Sequence, residues 1–359
     1  MNQPARQRRR TKAATIADVA ELAGVSPMTV SRVVNEEPGV RPETRDKVIA
    51  ALAALDYLPQ PAARRTGELD PIRIGMVFNH ANVGYLTDFM IGLLNKASLR
   101  HVQLDVQRCE LREDEEATVQ AMIAGGIHGL ILPPPFCDSE PLLKKLAEHG
   151  VLAVAVSSGR PSDSAHAIGI DDQRAAYEMT RHLLSLGHQR LGFILGDKQQ
   201  HCSERRLAGF RSALRDAGLD PATASVVAQG DFSYRSGLDA AEALLAAPQR
   251  PTAIFASNDD MAAATVAIAH RMGLDLPGDL AVVGFDDAPL ATTIWPELTT
   301  VRQPITAMAG AAVELLVRHL RARRNGEPLP REHVLMPFEL VRRQSDAAPR
   351  SRPRLGAVA

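Results

Sequence analysis

Thr15-Ile-Ala-Asp-Val-Ala-Glu-Leu-Ala-Gly-Val-Ser-Pro-Met-Thr-Val-Ser-Arg-Val-Val-Asn35 is the stretch from which the rest of the chain is read. Its pattern predicts a helix, a tight turn and a second helix. Thr15 caps the first helix, with Asp18 three residues on, in the manner of a capping box. Ile16, Val19, Ala20 and Ala23 recur at i, i+3, i+4 and i+7 and form one apolar stripe. Gly24 ends that helix by allowing a positive φ. Ser26 caps the second helix, Pro27 takes its first position, and Val25 and Val30 are spaced as a hydrophobic staple. Val30, Val33 and Val34 form its inner face, while Met28, Ser31, Arg32 and Asn35 share the opposite one. A short helix with its back packed and a polar front carrying one arginine suits the major groove of DNA. An ordinary αα-hairpin is the alternative. The tight turn, a second helix too short to be stable alone and the basic run Ala5-Arg-Gln-Arg-Arg-Arg-Thr-Lys12, which can reach phosphates, speak against it.

Outward from there, Asn35-Glu-Glu-Pro-Gly39 reads as a loop. A third helix is expected from about Pro42 to Leu55, with Val48, Ile49, Leu52 and Leu55 inward and Arg41 as a poor N-cap. Together with Val40-Arg-Pro-Glu-Thr-Arg45 and Leu55-Asp-Tyr-Leu-Pro-Gln-Pro-Ala-Ala-Arg64, the stretch resembles the headpiece of the lactose/galactose-repressor family of bacterial transcription factors. The segment Val25–Asn35 is close to that family's most specific signature. The resemblance implies an operator-binding regulator in which Thr15, Pro27, Met28, Thr29, Ser31, Arg32 and Asn35 serve the DNA interface. Linker residues Ala63, Arg64 and Thr66 would act at a hinge that folds on the minor groove. Two positions depart from the pattern: Gln60 stands where Asn is usual, and Thr66 where a wedging Leu is usual. Thr cannot unstack a base step as an isobutyl group does.

From Pro71 onward, apolar strand-like runs alternate with amphipathic helices. The runs are Ile72–Phe78, Val102–Gln107, Ile127–Leu132, Val151–Val156, Leu191–Leu195, Ala253–Ala256 and Leu280–Gly284. That alternation predicts doubly wound parallel α/β sheets, too many strands for one unit and enough for two lobes with a cleft at the strand ends. The resemblance agrees, implying a periplasmic-binding-protein-like core. Its landmarks are Arg206-Leu-Ala-Gly-Phe210, Gly230-Asp-Phe232, Ser257-Asn-Asp-Asp-Met261, Val283-Gly-Phe-Asp-Asp287 and Leu298-Thr-Thr-Val-Arg-Gln-Pro304. The expected organisation is a basic disordered tail over 1–14, a headpiece over 15–59, a hinge over 60–70, a core over 71–343 and a disordered tail over 344–359. Lobe one is placed at about 71–160 and 303–325. Lobe two is placed at about 161–290 and 326–343, the final strand Val334–Leu340 included.

By the same resemblance Arg206, Phe232, Asn258 and Asp286 contact a small-molecule effector, with Phe78, Asn79 and Tyr85 from the first lobe. The residue types suit a sugar. Arg206 offers a planar fork of donors, Asp286 acceptors, Asn258 both, and Phe232 a flat apolar face. A purine is disfavoured because Ser157 and Ser158 stand where purine-binding relatives place an aromatic. Ser157 also replaces an acidic residue common in sugar-binding relatives, which leaves an acidic sugar as the alternative.

The whole chain carries a formal charge of −1, but residues 1–66 carry +4 and the remainder −5, so the basic end is the end with the DNA-reading pattern. No apolar run approaches membrane-spanning length. No apolar region follows the basic N-terminus, so no signal peptide is expected. Cys109, Cys137 and Cys202 suit a reducing cytoplasm rather than a disulfide framework, and His201-Cys202 lacks companion ligands for a metal. Dinucleotide, P-loop and nucleophile-elbow motifs are absent, and neither catalytic residues nor a cofactor are expected. The expectation is therefore a cytoplasmic repressor controlled by a sugar. A solute-binding protein of a sugar transporter is the alternative. The tail carries no leucine heptad of the sort that tetramerises some relatives, which favours a homodimer over a tetramer.

Overall fold

The computed structural model describes residues 16–34, 40–55, 71–79, 83–109, 112–327 and 329–349. It divides into two units, residues 1–70 and 71–359.

The first unit contains α1 (Ile16–Ala23), α2 (Pro27–Val34) and α3 (Pro42–Ala54). Gly24, at φ +65°, ends α1. The amide of Gly24 donates to Glu21 O and that of Val25 to Ala20 O, the paired bonds of a Schellman turn. Ser26 Oγ accepts from the Thr29 amide at 3.2 Å and so caps α2. Val19, Ala20, Val30, Val33, Val48 and Ala51 make the core, with Val25, Leu52 and Leu55 packed on it. Ile49, expected inward, is half exposed. The inward face of α3 runs through 48, 51, 52 and 55, and residue 49 falls beside that stripe.

The second unit opens with β1 (Arg73–Phe78), α4 (Val83–Arg100), β2 (Gln103–Arg108), α5 (Arg112–Ala124) and β3 (Gly129–Leu132). It continues with α6 (Glu140–Glu148), β4 (Leu152–Val156), β5 (His166–Gly169), α7 (Asp172–Ser185), β6 (Leu191–Leu195) and α8 (His201–Asp216). Next come α9 (Pro221–Ala224), β7 (Ser225–Gln229), α10 (Tyr234–Leu245), β8 (Ala253–Ala256), α11 (Asp259–Arg271) and β9 (Ala281–Val283). Last are α12 (Leu290–Thr293), β10 (Thr300–Arg302), α13 (Ile305–Arg324), β11 (His333–Leu335) and β12 (Glu339–Val341).

Two all-parallel sheets result, one ordered β11-β5-β4-β3-β1-β2 and the other β7-β6-β8-β9. The inner strands β3, β4 and β8 are buried along most or all of their length, as strands covered by helices on both faces must be. The antiparallel pair β10–β12 forms its own ladder, joined to β9 and the residues after it by single bridges, Val283 to Thr299 and Asp286 to Arg302.

The expected lobe boundaries need correction. Strand β5 belongs to the first sheet, so lobe one runs to about residue 170 rather than 160. Strand β11 pairs with β5, so the start of the final strand belongs to lobe one and not to lobe two. The chain then returns to lobe two, where Ser345 is fully buried. Its hydroxyl donates to Val282 O, the Val282 amide donates to its carbonyl, and its Oγ accepts from the Thr299 amide at 2.9 Å. Asp346 accepts from Thr299 Oγ1 and pairs with His182, and the ring of His188 bonds Ala347 O at 2.8 Å. Residues 344–349 are thus packed, not a disordered tail. Their polar side chains saturate buried groups of lobe two.

Candidate functional site

In the first unit, α2 turns Val30 and Val33 into the core and leaves Pro27, Met28 and Arg32 exposed. Met28, at 69% exposed, is held outward on a capped helix without apolar cover of its own. Thr29 is half-buried, and its hydroxyl bonds Ser26 Oγ at 2.9 Å. The backbone of Ser31 lies on this helix. Thr15, Asn35, Ala63, Arg64 and Thr66 lie outside the described residues.

In the second unit, a cavity opens between the lobes at the C-terminal ends of the strands, the expected place in a doubly wound fold. Its volume is about 50 Å³, set within about 600 Å³ of open space that includes the mouth. Six of the seven predicted effector residues line it: Phe78, Asn79, Tyr85, Arg206, Phe232 and Asp286. Asn258 does not.

Arg206 sits one turn into α8, only 3% exposed. Its Nε donates to Asp172 Oδ1 at 2.8 Å and its Nη1 to Ser257 O at 2.5 Å. The guanidinium lies 3.6 Å from the centroid of the Phe285 ring and 5.8 Å from that of Phe232. Burial works against its charge, but Asp172 and Asp286 outweigh burial and hold its pKa above the ordinary value. Burial lifts the Asp172 carboxyl, and Arg206 opposes the rise. At this distance the pair is charged, and Arg206 stays cationic. Two of its five N–H groups are committed within lobe two, which leaves three for a ligand.

Phe232 has φ +72° and its ring seats over Gly196, where any Cβ would overlap it. Its carbonyl accepts from Asn258 Nδ2 at 2.8 Å, while Asn258 Oδ1 accepts from the Met261 amide at 3.0 Å and caps α11. Asn258 is therefore fully buried as a brace beneath the cavity wall. Its strand-end position was correctly read, but its groups are taken up by the helix cap and the Phe232 loop.

Asp286 has φ +113° and lies just after β9, in the connection to α12, bridged to Arg302. It accepts from Gln303 Nε2 at 2.6 Å. Gln303 is 5% exposed, lines the cavity, and keeps its Oε1 buried without a partner among the described residues. Its place in the segment Leu298–Pro304 was visible in sequence, but nothing distinguished it from its neighbours. Behind Asp286, Asp259 accepts from Thr300 Oγ1 and the Ala288 amide, and burial with Asp286 nearby pushes its pKa well up.

Lobe one contributes an apolar wall, Phe78, Leu86 and Pro133-Pro134-Pro135, with Tyr85 stacked on Phe89 behind it. The proline run directly after β3 marked a strand end but was not singled out. Tyr85 Oη and Ser157 Oγ are 2.8 Å apart, and burial raises the phenol above its ordinary pKa. Gln200 and Cys202 complete the lining from the start of α8. Burial pushes the Cys202 thiol up to about 12, so it stays protonated and is no nucleophile. At the rim, Asp138 of lobe one accepts from the His201 amide at 2.9 Å and from Ser158 Oγ at 2.5 Å, tying the lobes together.

A capped, outward-facing helix-turn-helix joined in one chain to a two-lobed core with a cavity between its lobes defines a class: DNA-binding transcriptional regulators with a binding-protein-like sensor core. Comparison with known proteins narrows it. Residues 15–60 match the bacterial regulatory proteins of the lacI family, and residues 180–345 match the periplasmic binding protein-like domain. Catabolite control protein A of Priestia megaterium is 31% identical over 335 residues, 92% of this chain and 98% of that protein. The transcriptional regulator GalR of Escherichia coli K12 is 32% identical over 346 residues, covering 94% and 96%. A crystal structure of the lac repressor dimer bound to operator and the anti-inducer ONPF superposes with a TM-score of 0.76 at 28% identity, covering 94% of this chain and all of that one. The chain belongs to the lacI family and is a transcriptional regulator rather than an enzyme. Among the described residues no helix is long and apolar enough to cross a membrane.

Proposed function

We propose that the chain is a cytoplasmic repressor that binds a pseudo-palindromic operator as a homodimer and is controlled by a neutral polyhydroxyl effector, a mono- or disaccharide, held between the lobes. The observation that carries this is the convergence of Arg206, Asp286, Gln303 and Phe232 on one cavity. Arg206 supplies donors, Asp286 and the Gln303 carbonyl accept, and Phe232 with the proline wall covers C–H faces. The orphaned Gln303 Oε1 supports the reading, because a buried acceptor without a partner asks for a hydroxyl. The cavity has aromatics, but none at Ser157, where a purine would need its second face. A related solved structure is that of a transcriptional regulator in complex with cellobiose, at 30% identity and a TM-score of 0.68.

Calorimetry with sugars, sugar acids and purines, on wild type and Arg206→Ala, tests the effector. A sugar should bind the wild type and lose affinity in the variant. A purine binding at micromolar affinity with no sugar binding would refute it. For DNA, Arg32→Ala should weaken binding to an operator recovered by in vitro selection by about 1–3 kcal/mol. An unchanged affinity and footprint would remove α2 as the reading helix.

A further inference from the structure

Arginines gather at the edge of lobe one opposite the cavity, where the strands of its sheet begin. Between Arg318 and His333, five arginines stand against two glutamates, on a stretch from 67 onward whose net charge is −5. They are brought together by the fold. Arg323 Nη1 donates to Gly150 O, just ahead of β4. Arg324 and Arg321 share a face of α13, and Arg324 Nη2 is 3.4 Å from His128 Nε2. His128 Nδ1 accepts from the amide of Arg73, whose guanidinium reaches Gly125 O. Arg331 and Arg323 line one cleft beside β4. Arg321, Arg323, Arg324 and Arg331 are exposed, and among the described residues no carboxylate lies within ion-pair distance of Arg321, Arg323 or Arg331. Glu332 is committed to Arg318 and His319, while among the described residues Glu148, Asp163 and Glu327 are exposed carboxylates near this edge.

The last turn of a helix favours arginine through its dipole alone. That effect accounts for one or two of these side chains but not for Arg331 or Arg73, which lie on other elements. The chain also enters the core here: Pro71 is two residues before Arg73, and the eleven linker residues 60–70 span at most ~40 Å. In sequence, the helix-turn-helix precedes this entry point.

We propose that this edge binds backbone phosphates of duplex DNA flanking the site held by α2. The proposal rests on the DNA-binding reading above. It adds a contact surface in the core, one that carries no sequence information but raises affinity and salt dependence.

The test uses the full-length protein and the triple variant Arg321→Gln/Arg323→Gln/Arg331→Gln. Binding is measured by anisotropy over a salt series on three duplexes: the selected operator trimmed to its core, the same operator with one helical turn of flank on each side, and a long duplex of random sequence. Wild type should bind the flanked operator more tightly than the trimmed one and with a steeper slope of log affinity on log salt. The variant should keep its affinity for the trimmed duplex and lose the gain from the flanks, its slope falling by about 1 for each phosphate contact removed. Thermal melting should fall only slightly, since none of the three side chains is buried and the one bond lost, Arg323 to Gly150 O, is exposed. Equal slopes for variant and wild type on the flanked and random duplexes overturn the proposal, and an edge that serves an acidic protein instead gives that result. Failure of the DNA-reading assignment looks different: the wild type then shows no preference between operator and random DNA, while the random duplex still reports on the edge.

Discussion

Asn258→Ala separates bracing from ligand contact. The wild-type side chain makes two buried bonds, accepting from the Met261 amide at 3.0 Å and donating to Phe232 O at 2.8 Å. Removing the first uncaps α11, which costs about 1 kcal/mol. Removing the second leaves the Phe232 carbonyl without its donor, about 1–3 kcal/mol. The sum is roughly 2–4 kcal/mol, which at ~2–4 °C per kcal/mol lowers Tm by about 4–16 °C. Scanning calorimetry with and without the proposed sugar effector is the assay. Both forms should melt lower, and sugar affinity should fall only as far as Phe232 shifts. Asn258→Asp keeps the cap acceptor but turns a carboxylate oxygen toward Phe232 O, so it should retain the helix and still lose stability. A variant that melts like wild type but no longer binds sugar would show that Asn258 contacts the ligand, and the bracing assignment would be wrong.

Arg206→Met strips Asp172 of its buried partner and should destabilise the core by about 3–5 kcal/mol, with Asp172→Asn in the same chain recovering part of the loss in urea unfolding. Full stability in the single variant would mean that Asp172 is held by other groups. Gln303→Leu should weaken effector binding by about 1–3 kcal/mol in calorimetry, and it should also lower the melting temperature of the free protein, because Asp286 loses the buried Nε2 donor. Undiminished binding would remove Gln303 from the site. Burial, with His319 close by, lowers His166 to about 4. Its unfolded value is near 6.5, so the unfolded chain binds the extra proton between those values. The stabilisation is present above about pH 6.5 and drains away as pH falls toward 4, and His166→Asn should flatten that part of a urea-midpoint profile.

Much of this was legible because burial on both faces writes itself into composition. Strands β3 and β4 are apolar throughout, and the helices between strands show a repeating apolar stripe. Strands β5 and β7 were not legible. The first is short and begins with a histidine, and the second is a half-exposed edge strand. No local pattern reveals which sheet a strand joins, so β11 was placed in the wrong lobe. Ser345 and Asp346 look like tail residues in sequence. Only the fold shows the buried groups of Val282, Thr299 and His182 that they satisfy. In the cavity the resemblance delivered residue identities, and the structure divided their labour. Arg206 and Asp286 face the space, Asn258 supports it from behind, and Gln303 joins them through a contact between neighbouring segments.

The order of the elements sets a timetable for synthesis. Helix α13 packs against α4 and against β3 and β4, with Leu316 close over Gly129, yet it is encoded after the whole α7–α12 block. At bacterial-scale translation rates the roughly 135 residues from 170 to 304 occupy the ribosome for on the order of ten seconds. Throughout that interval the first sheet exists without its covering helix and without its edge strand β11. The nascent chain therefore carries an uncovered apolar face while the second lobe is being made, and that face is where a chaperone would engage it. Stop codons before residue 305 should yield insoluble fragments, however intact their second lobe.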